Sequence, residues 1–494
     1  MFKRKSLFTQ NGQQKMTKRI LISRLCAAAT MLFAAGCMTV GPDYQEPTAI
    51  DLSQFEMSIG MGKVSTKNLT TWWTQFNDPS LVSLIERSFK SNNDLGAARA
   101  TLREVRARMG IAEAGRYPVI NAYGSAVKSS NGSNSSSIST GNGGHEDDLY
   151  TLGFDASWEL DIFGSVAHHN EAARADLQSE EEILKHTWVT LASEVAQTYI
   201  NVRIAQQRLR VTQDNLTAQK DTLDLLKSRF DAGLSDELAV HQARYNLETT
   251  RASLPAITGD IESAMNGLAI LTGVMPGILH NELIELKDIP SAPLASVDTI
   301  PADSIRIRPD IRSAERQLAA QSARVGIATA DLYPRFSING NLTMSAINST
   351  NLMENNSKGF SLGPQVTIPI FNAGTLFREI EAQNARLEYL EAIYRKTVLI
   401  AVKEVRDSMM RLNLEQNRFM ALQAAVNAAK LAVLVSQDKY KNGLIDFNNV
   451  LVAQRSLLSL EEQLVISKGT SSLQMVSLYK ALGGGVAPET IIEH

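Results

Sequence analysis

The sequence predicts a mixed α/β membrane protein built as an internal twofold repeat, with two barrel strands and one very long helix in each half. Three observations carry this prediction. Segments in the first half recur in the second. Alternating apolar and polar stretches of about ten residues flank each recurrence. Two stretches of 68 residues, 165–232 and 375–442, contain neither glycine nor proline. The bulk composition is compatible. The chain has 494 residues, net charge −3, 44% hydrophobic and 20% charged residues, which excludes a disordered chain and a polytopic helical membrane protein. The balanced charge gives no reason to expect nucleic acid as a partner.

Residues 1–36 read as a signal peptide. From Met16, a second candidate start, a basic beginning leads into an apolar stretch and then small residues before a cysteine. The stretch Ala34-Ala35-Gly36-Cys37 resembles a bacterial lipobox, in which Cys37 becomes a lipidated N-terminus. This predicts diacylglycerol and N-acyl chains (palmitate) on Cys37 and no other cofactor. Met38, standing where an Asp favours inner-membrane retention, points to the outer membrane. Cys26 and Cys37 are the only cysteines, so the mature chain has no internal disulfide and relies on packing or oligomerisation. No apolar run after residue 37 is expected to serve as a transmembrane helix.

The repeat organises the rest. "RARMGIAEAGRYP" (106–118) matches "SARVGIATADLYP" (322–334) at an offset of 216. From Gly164 and Gly374 onward the offset is 210, joining Glu194-Val195 to Glu404-Val405, Gly233 to Gly443 and Gly273 to Gly483. The Ser/Gly/Asn-rich loop between Pro118 and Gly164 accounts for the change. Repeat 1 spans 72–273 and repeat 2 spans 303–483. Residues 37–71 and the Pro-rich linker 274–302 are expected to form an equatorial belt, and 484–494 a C-terminal tail.

Strands are expected at about 117–128, 150–161, 335–346 and 360–371. In the second, Tyr150, Leu152, Phe154, Trp158 and Leu160 alternate with small or polar residues; in the third, Phe336, Ile338, Leu342 and Met344 do so. The strand near 119–128 alternates less cleanly. A half-buried soluble sheet and an outer-membrane barrel both produce this pattern. The strand length and the lipobox favour the barrel. Four strands cannot close a transmembrane barrel, and an open edge is forbidden in lipid, so two chains (eight strands) or three (twelve) must share one.

The two glycine-free segments are expected to be helices of roughly 100 Å, forming a solvated coiled-coil stalk or a tube that is wet inside and out. Return helices are expected at 235–272 and 446–482, and helices at 79–115 and 303–332 precede the strands. Gly233 and Gly443 then mark two equivalent turns that reverse the chain.

Taken together, "CMTVGPDYQEP" (37–47), "WWTQFNDPSLVSLIERSF" (72–89), the Tyr-Pro pairs at 117–118 and 333–334, "WELDIFG" (158–164), "IPIFNAG" (368–374) and the "RFDAGL" and "YKNGL" turns resemble the outer-membrane efflux factor family, the TolC-like ducts, in its lipoprotein branch. The resemblance implies a homotrimer with a 12-stranded outer-membrane β-barrel continuous with a 12-helix periplasmic α-barrel. It implies a passive exit duct of a tripartite efflux pump, exporting drugs, other toxic compounds or metal ions. The implied partners are a periplasmic adaptor (membrane fusion) protein and an inner-membrane resistance-nodulation-division transporter. The turns would be the periplasmic tips and the gate, with Gly233, Asp236, Tyr440, Gly443, Asp446 and Asn449 as candidate residues. Where relatives often carry acids, this chain has Ala239 and Val452. Asp236 and Asp446 hold equivalent repeat positions, and they serve either as helix caps or as pore carboxylates.

Two further readings use the same features: the exit duct of a type I secretion system, and a trimeric coiled-coil adhesin, against which the strands argue. No catalytic motif points to an enzyme. His168-His169 is the one histidine pair; a metal site there is an alternative, but a strand-to-helix junction explains it better.

Overall fold

A computed structural model describes residues 39–47, 69–130, 146–292 and 303–484. Cys37 lies outside them. In chain order the main elements are α1 (Pro79–Ser91), α2 (Asn93–Ala114), β1 (Val119–Ser130), β2 (Glu146–Leu160), α3 (Ser165–Asp231), α4 (Glu237–Leu271), α5 (Pro309–Ala330), β3 (Arg335–Ala346), β4 (Lys358–Thr367), α6 (Thr375–Lys441) and α7 (Phe447–Ala481). The chain divides into two compact units. One comprises Arg106–Asp176 and Gln317–Tyr389 with the segment up to Glu46; the other comprises Pro47–Val105, Leu177–Arg316 and Leu390–His494.

The first unit holds a four-stranded antiparallel sheet in the order β1-β2-β3-β4. Period-two alternation sorts its side chains. Phe154, Leu152, Leu342, Phe360, Leu362 and Val366 are exposed apolar residues of one face. The other face carries a polar ladder across all four strands: Asn121 Nδ2 donates to Asp155 Oδ2 (3.0 Å), Ser157 Oγ to Asn339 Oδ1 (2.8 Å), and Asn339 Nδ2 to Gln365 Oε1 (2.8 Å). Sheets of soluble proteins bury their apolar face; this one pairs its polar groups with each other and leaves the apolar face bare. β1 and β4 are the outer strands of this sheet, and lipid does not tolerate such open edges.

Residues 39–46 join the sheet-bearing unit. Val40 N donates to Phe163 O (3.1 Å), and the His168 ring lies 3.0 Å from Val40 O. These backbone contacts bind residues 39–46 beside the strand-to-helix junction.

The second unit carries the hydrophobic core. Trp72 stacks on Tyr479 (5.3 Å between ring centroids), and Phe89 packs on Trp188 (4.5 Å). The helix expected over 79–115 is two helices. Asn92 between them is extended; its Oδ1 accepts from Leu95 N (2.9 Å), starting α2, and its Nδ2 donates to Leu271 O (3.0 Å) at the end of α4. The helix expected over 303–332 likewise breaks before Pro309, which disfavours a helical residue ahead of it. Arg308 stands there. It donates to Ala481 O (2.6 Å) at the end of α7 and binds Asp310 (2.7 Å) and Glu404 (2.9 Å). Asn92 with Leu271 and Arg308 with Ala481 are therefore repeat-related clasps with different chemistry.

A second buried cation holds the described part of the linker. Arg203, fully buried, donates to Glu285 O (2.6 Å), Gln206 Oε1 (2.7 Å) and the Tyr199 hydroxyl (3.0 Å), and that hydroxyl donates to Asp78 Oδ2 (2.7 Å). Burial, reinforced by Asp78, pushes the Tyr199 hydroxyl up to about 12.

Candidate gate at the helix tips

α3 and α6 are each 67 residues long, about 100 Å of helix. Both end alike. Gly233 (φ +72°) and Gly443 (φ +71°) are left-handed, a conformation that glycine takes without a Cβ penalty. Gly233 N donates to Phe230 O (2.8 Å) and Leu234 N to Arg229 O (2.7 Å); Gly443 N donates to Tyr440 O (3.0 Å) and Leu444 N to Lys439 O (2.9 Å). These paired bonds satisfy the last free carbonyls of each helix. Two residues of turn follow, and an aspartate opens each return helix. Asp236 accepts from Ala239 N (2.8 Å) and Asp446 from Asn448 N (2.7 Å). Both aspartates cap, and both are exposed.

The two hairpins are joined by an apolar cluster of Leu223, Leu226, Ala239, Ala243, Leu247, Phe447, Val450 and Leu451, with Tyr440 packed against it. Tyr440 links the turns. Its ring stacks edge-on against Phe447 (5.2 Å), the Arg229 guanidinium lies over it (5.5 Å), and its hydroxyl is 3.2 Å from Ser235 Oγ. Arg229 also donates to Lys441 O (3.2 Å). Higher on the hairpins, Arg455 donates to Asn246 Oδ1 (2.8 Å) and lies over Tyr245 (5.2 Å). Asn449 does only local work, donating to Asp446 O (3.2 Å).

The six tip residues expected from sequence thus fall at two adjacent turns. Arg229, Ser235, Phe447 and Asn246 complete the arrangement. Arg229 stands inside the quoted "RFDAGL" turn, but spacing gave no sign that it bonds the other hairpin. Ala239, in the place of an acid, is buried in the cluster, whereas Val452 is exposed.

His168 sits at the start of α3 between Val40 O and Glu171 Oε2 (3.2 Å), the junction role. Among the described residues no group of three or more His, Cys, Asp or Glu side chains is placed to hold a metal ion. Among the described residues one helix, α6, is long and apolar enough to cross a membrane by length and composition, contrary to the expectation that no such run follows residue 37, and only 6% of that window is buried within the chain.

Comparison with known proteins fits this geometry. The family profile described as "Outer membrane efflux protein" matches residues 84–274 and 301–484, the two repeats. The probable outer membrane lipoprotein SilC of Salmonella typhimurium is 28% identical over 469 residues, covering 94% of this chain and 98% of SilC. The solvent efflux pump outer membrane protein SrpC of Pseudomonas putida is 30% identical over 462 residues, covering 92% of this chain and 97% of SrpC. The solved structure of the outer-membrane channel OprN superposes with a TM-score of 0.83 at 32% identity, covering 91% of this chain and all of OprN.

Proposed function

The chain belongs to the outer membrane efflux protein family and is an outer-membrane efflux channel, and from that premise we propose that three copies form the passive exit duct of a tripartite pump. Each copy contributes four strands to a 12-stranded barrel and four helices to a 12-helix periplasmic tunnel. Small molecules delivered by an inner-membrane resistance-nodulation-division transporter and a periplasmic adaptor leave through it, and the energy comes from the transporter.

The four-stranded sheet carries this reading. It has a bare apolar face, a hydrogen-bonded polar face and two open edges, the requirements of a barrel segment with lipid outside and water inside. SrpC, named as part of a solvent pump, supports small-molecule cargo over protein secretion. SilC, named a lipoprotein, supports acylation of Cys37.

The paired tips are the gate in this reading. Tyr440, held by Arg229 and Ser235, keeps the hairpins of one chain together, and dilating the tunnel requires parting them. Asp236 and Asp446 supply six carboxylates around the tip. The test is ion conductance of the purified protein in planar bilayers. Wild type is expected to conduct weakly with cation preference, Tyr440→Ala to conduct more, and Asp236→Ala with Asp446→Ala to lose cation preference. Unchanged conductance and selectivity in all of these would reject the gate. Radiolabelled palmitate is expected on wild type and absent from Cys37→Ser.

A further inference from the structure

The two repeats set the same glutamine in different company. Gln206 of α3 and Gln416 of α6 hold matched positions, 210 residues apart. In repeat 1 the linker meets the glutamine. Gln206 Nε2 donates to Leu283 O (2.6 Å), and Arg203 donates to Gln206 Oε1 (2.7 Å). The Leu283 side chain, in the short helical turn His280–Leu283, is fully buried. An apolar group and an oxygen acceptor together complete that site.

In repeat 2 both partners are gone. Asn413, exposed, stands in the place of Arg203, and Gln416 Nε2 is buried with no acceptor. Gln416 instead lines a cavity of about 430 Å³, within the roughly 300–1,000 Å³ of small-molecule sites. Leu412 and Phe419 of α6 and Met475 of α7 give it an apolar wall. Met420 also lines it and is 61% exposed, so the cavity opens to the surface. Ser472 Oγ donates to Pro290 O (2.6 Å), which fixes the linker residues Ser291 and Ala292 along one side.

The charge of this cavity also differs from its counterpart. Lys468 and Ser471 of α7, three residues apart and so on one helix face, line it. Repeat 1 has Thr258 and Ile261 in their places. Among the described residues Lys468 has neither an ion pair nor a hydrogen bond. Acids of the same stretch are already matched: Glu415 takes Ser467 Oγ (2.6 Å) and Arg418 (3.5 Å), and Glu461 takes Lys430 (3.1 Å). An ammonium without a partner and an amide donor without an acceptor, both lining one apolar cavity, call for a carboxylate on an apolar body.

We propose that this cavity binds a small organic carboxylate. Its apolar ring or chain lies against Leu412, Phe419 and Met475, and its carboxylate meets Lys468, Ser471 and Gln416. The terminal amide of Gln416 turns almost freely about its last torsion, so its N–H reaches an acceptor in the cavity as Gln206 reaches Leu283 O. The ligand supplies what Leu283 supplies in repeat 1, and Lys468 selects a carboxylate over a neutral carbonyl. No residue of this site belongs to the tips or to the sheet.

Equilibrium dialysis of the assembled protein in non-ionic detergent, with protein-free micelles as the blank, tests it. The probes are 1-naphthoate and 1-naphthalenemethanol, which share a ring system and differ in charge. Wild type is expected to take up naphthoate saturably, one per chain, and to hold it about tenfold more tightly than the alcohol. Lys468→Met, at a half-buried position, is expected to abolish that preference and leave uptake of the alcohol unchanged. Ala292→Trp, which fills the cavity from the linker side, is expected to remove uptake of both. Equal affinity of wild type for the two probes, or an undiminished preference in Lys468→Met, would overturn the inference. No saturable uptake by folded, assembled wild type would mean that the chain or a neighbouring copy fills the cavity itself, and would overturn it as well.

Discussion

α3 and α6 are the same helix twice, equal in length, in starting turn and in closing glycine, yet they live in different surroundings. α3 buries Trp188, Val189, Tyr199, Ile200 and Arg203 inside its own chain; α6 buries fewer side chains and presents Leu399, Met410, Leu414, Leu431 and Leu434 to its surroundings. The difference teaches that one repeat is finished by the other, and that the second is finished by something outside the chain. An apolar helix window with so little cover is costly in water, at roughly 25 cal/mol per Å² of apolar surface.

Substitutions at repeat-related positions break or sharpen this contrast. The largest effect is expected at the clasps. Arg308→Ala strands Asp310 and removes the bond to Ala481 O, costing about 3–5 kcal/mol, whereas Asn92→Ala, which loses neutral hydrogen bonds, costs about 1–3 kcal/mol; denaturant midpoints at fixed protein concentration measure both. Acid titration separates them further. Burial alone would raise the Asp310 carboxyl, but Arg308 outweighs it and holds the group below the usual carboxylate range. Stability from this pair is therefore present above the ordinary value near 4 and lost as pH falls through the depressed one. Arg308→Met is expected to remove that acid-sensitive part.

Next comes the buried cation. Arg203→Ala leaves the carbonyl of Glu285 and the Tyr199 hydroxyl without their donor and is expected to cost about 1–3 kcal/mol. Its exposed counterpart on α6, Asn413, is expected to tolerate alanine within about 0.5 kcal/mol. Wild type has an alkaline limit at the same place. Tyr199 is held neutral to about 12, so its contribution is complete below its ordinary value near 10 and is lost as pH rises through 12. Tyr199→Phe is expected to lose the bond to Asp78 together with this alkaline limb.

Among the helical glycines, Gly469→Ala forces its Cβ into Ile204 and is expected to cost about 1–3 kcal/mol, read as a lower unfolding midpoint. At Gly259, its repeat counterpart, a Cβ meets nothing within 4 Å, so Gly259→Ala is expected to cost far less. Smaller losses than these belong to the caps. Asp236→Ala and Asp446→Ala are expected to cost about 1 kcal/mol each and nearly equally, because their turns are alike.

Much of the fold was legible. The sheet follows from alternation that exposes one polar and one apolar residue in turn, and β3 occupies the range that Phe336, Ile338, Leu342 and Met344 mark. The long helices follow from the absence of glycine and proline, and the tips from Gly233 and Gly443. Other features were not legible, because they depend on which distant group a side chain meets. The break at Asn92 needs Leu271 O, 179 residues away, and the role of Arg203 needs Glu285 O, 82 residues away. At the tip, the glycines and aspartates follow from local backbone rules, whereas Arg229 joins the site only because the other hairpin brings Tyr440 beneath it.

The most direct measurement is the native mass of the purified, detergent-stripped protein. A half-finished second repeat and a sheet with two open edges predict three chains in one particle, with no free single chain at working concentration. A stable, folded single chain, its four strands unclosed and the α6 face bare, would contradict the account.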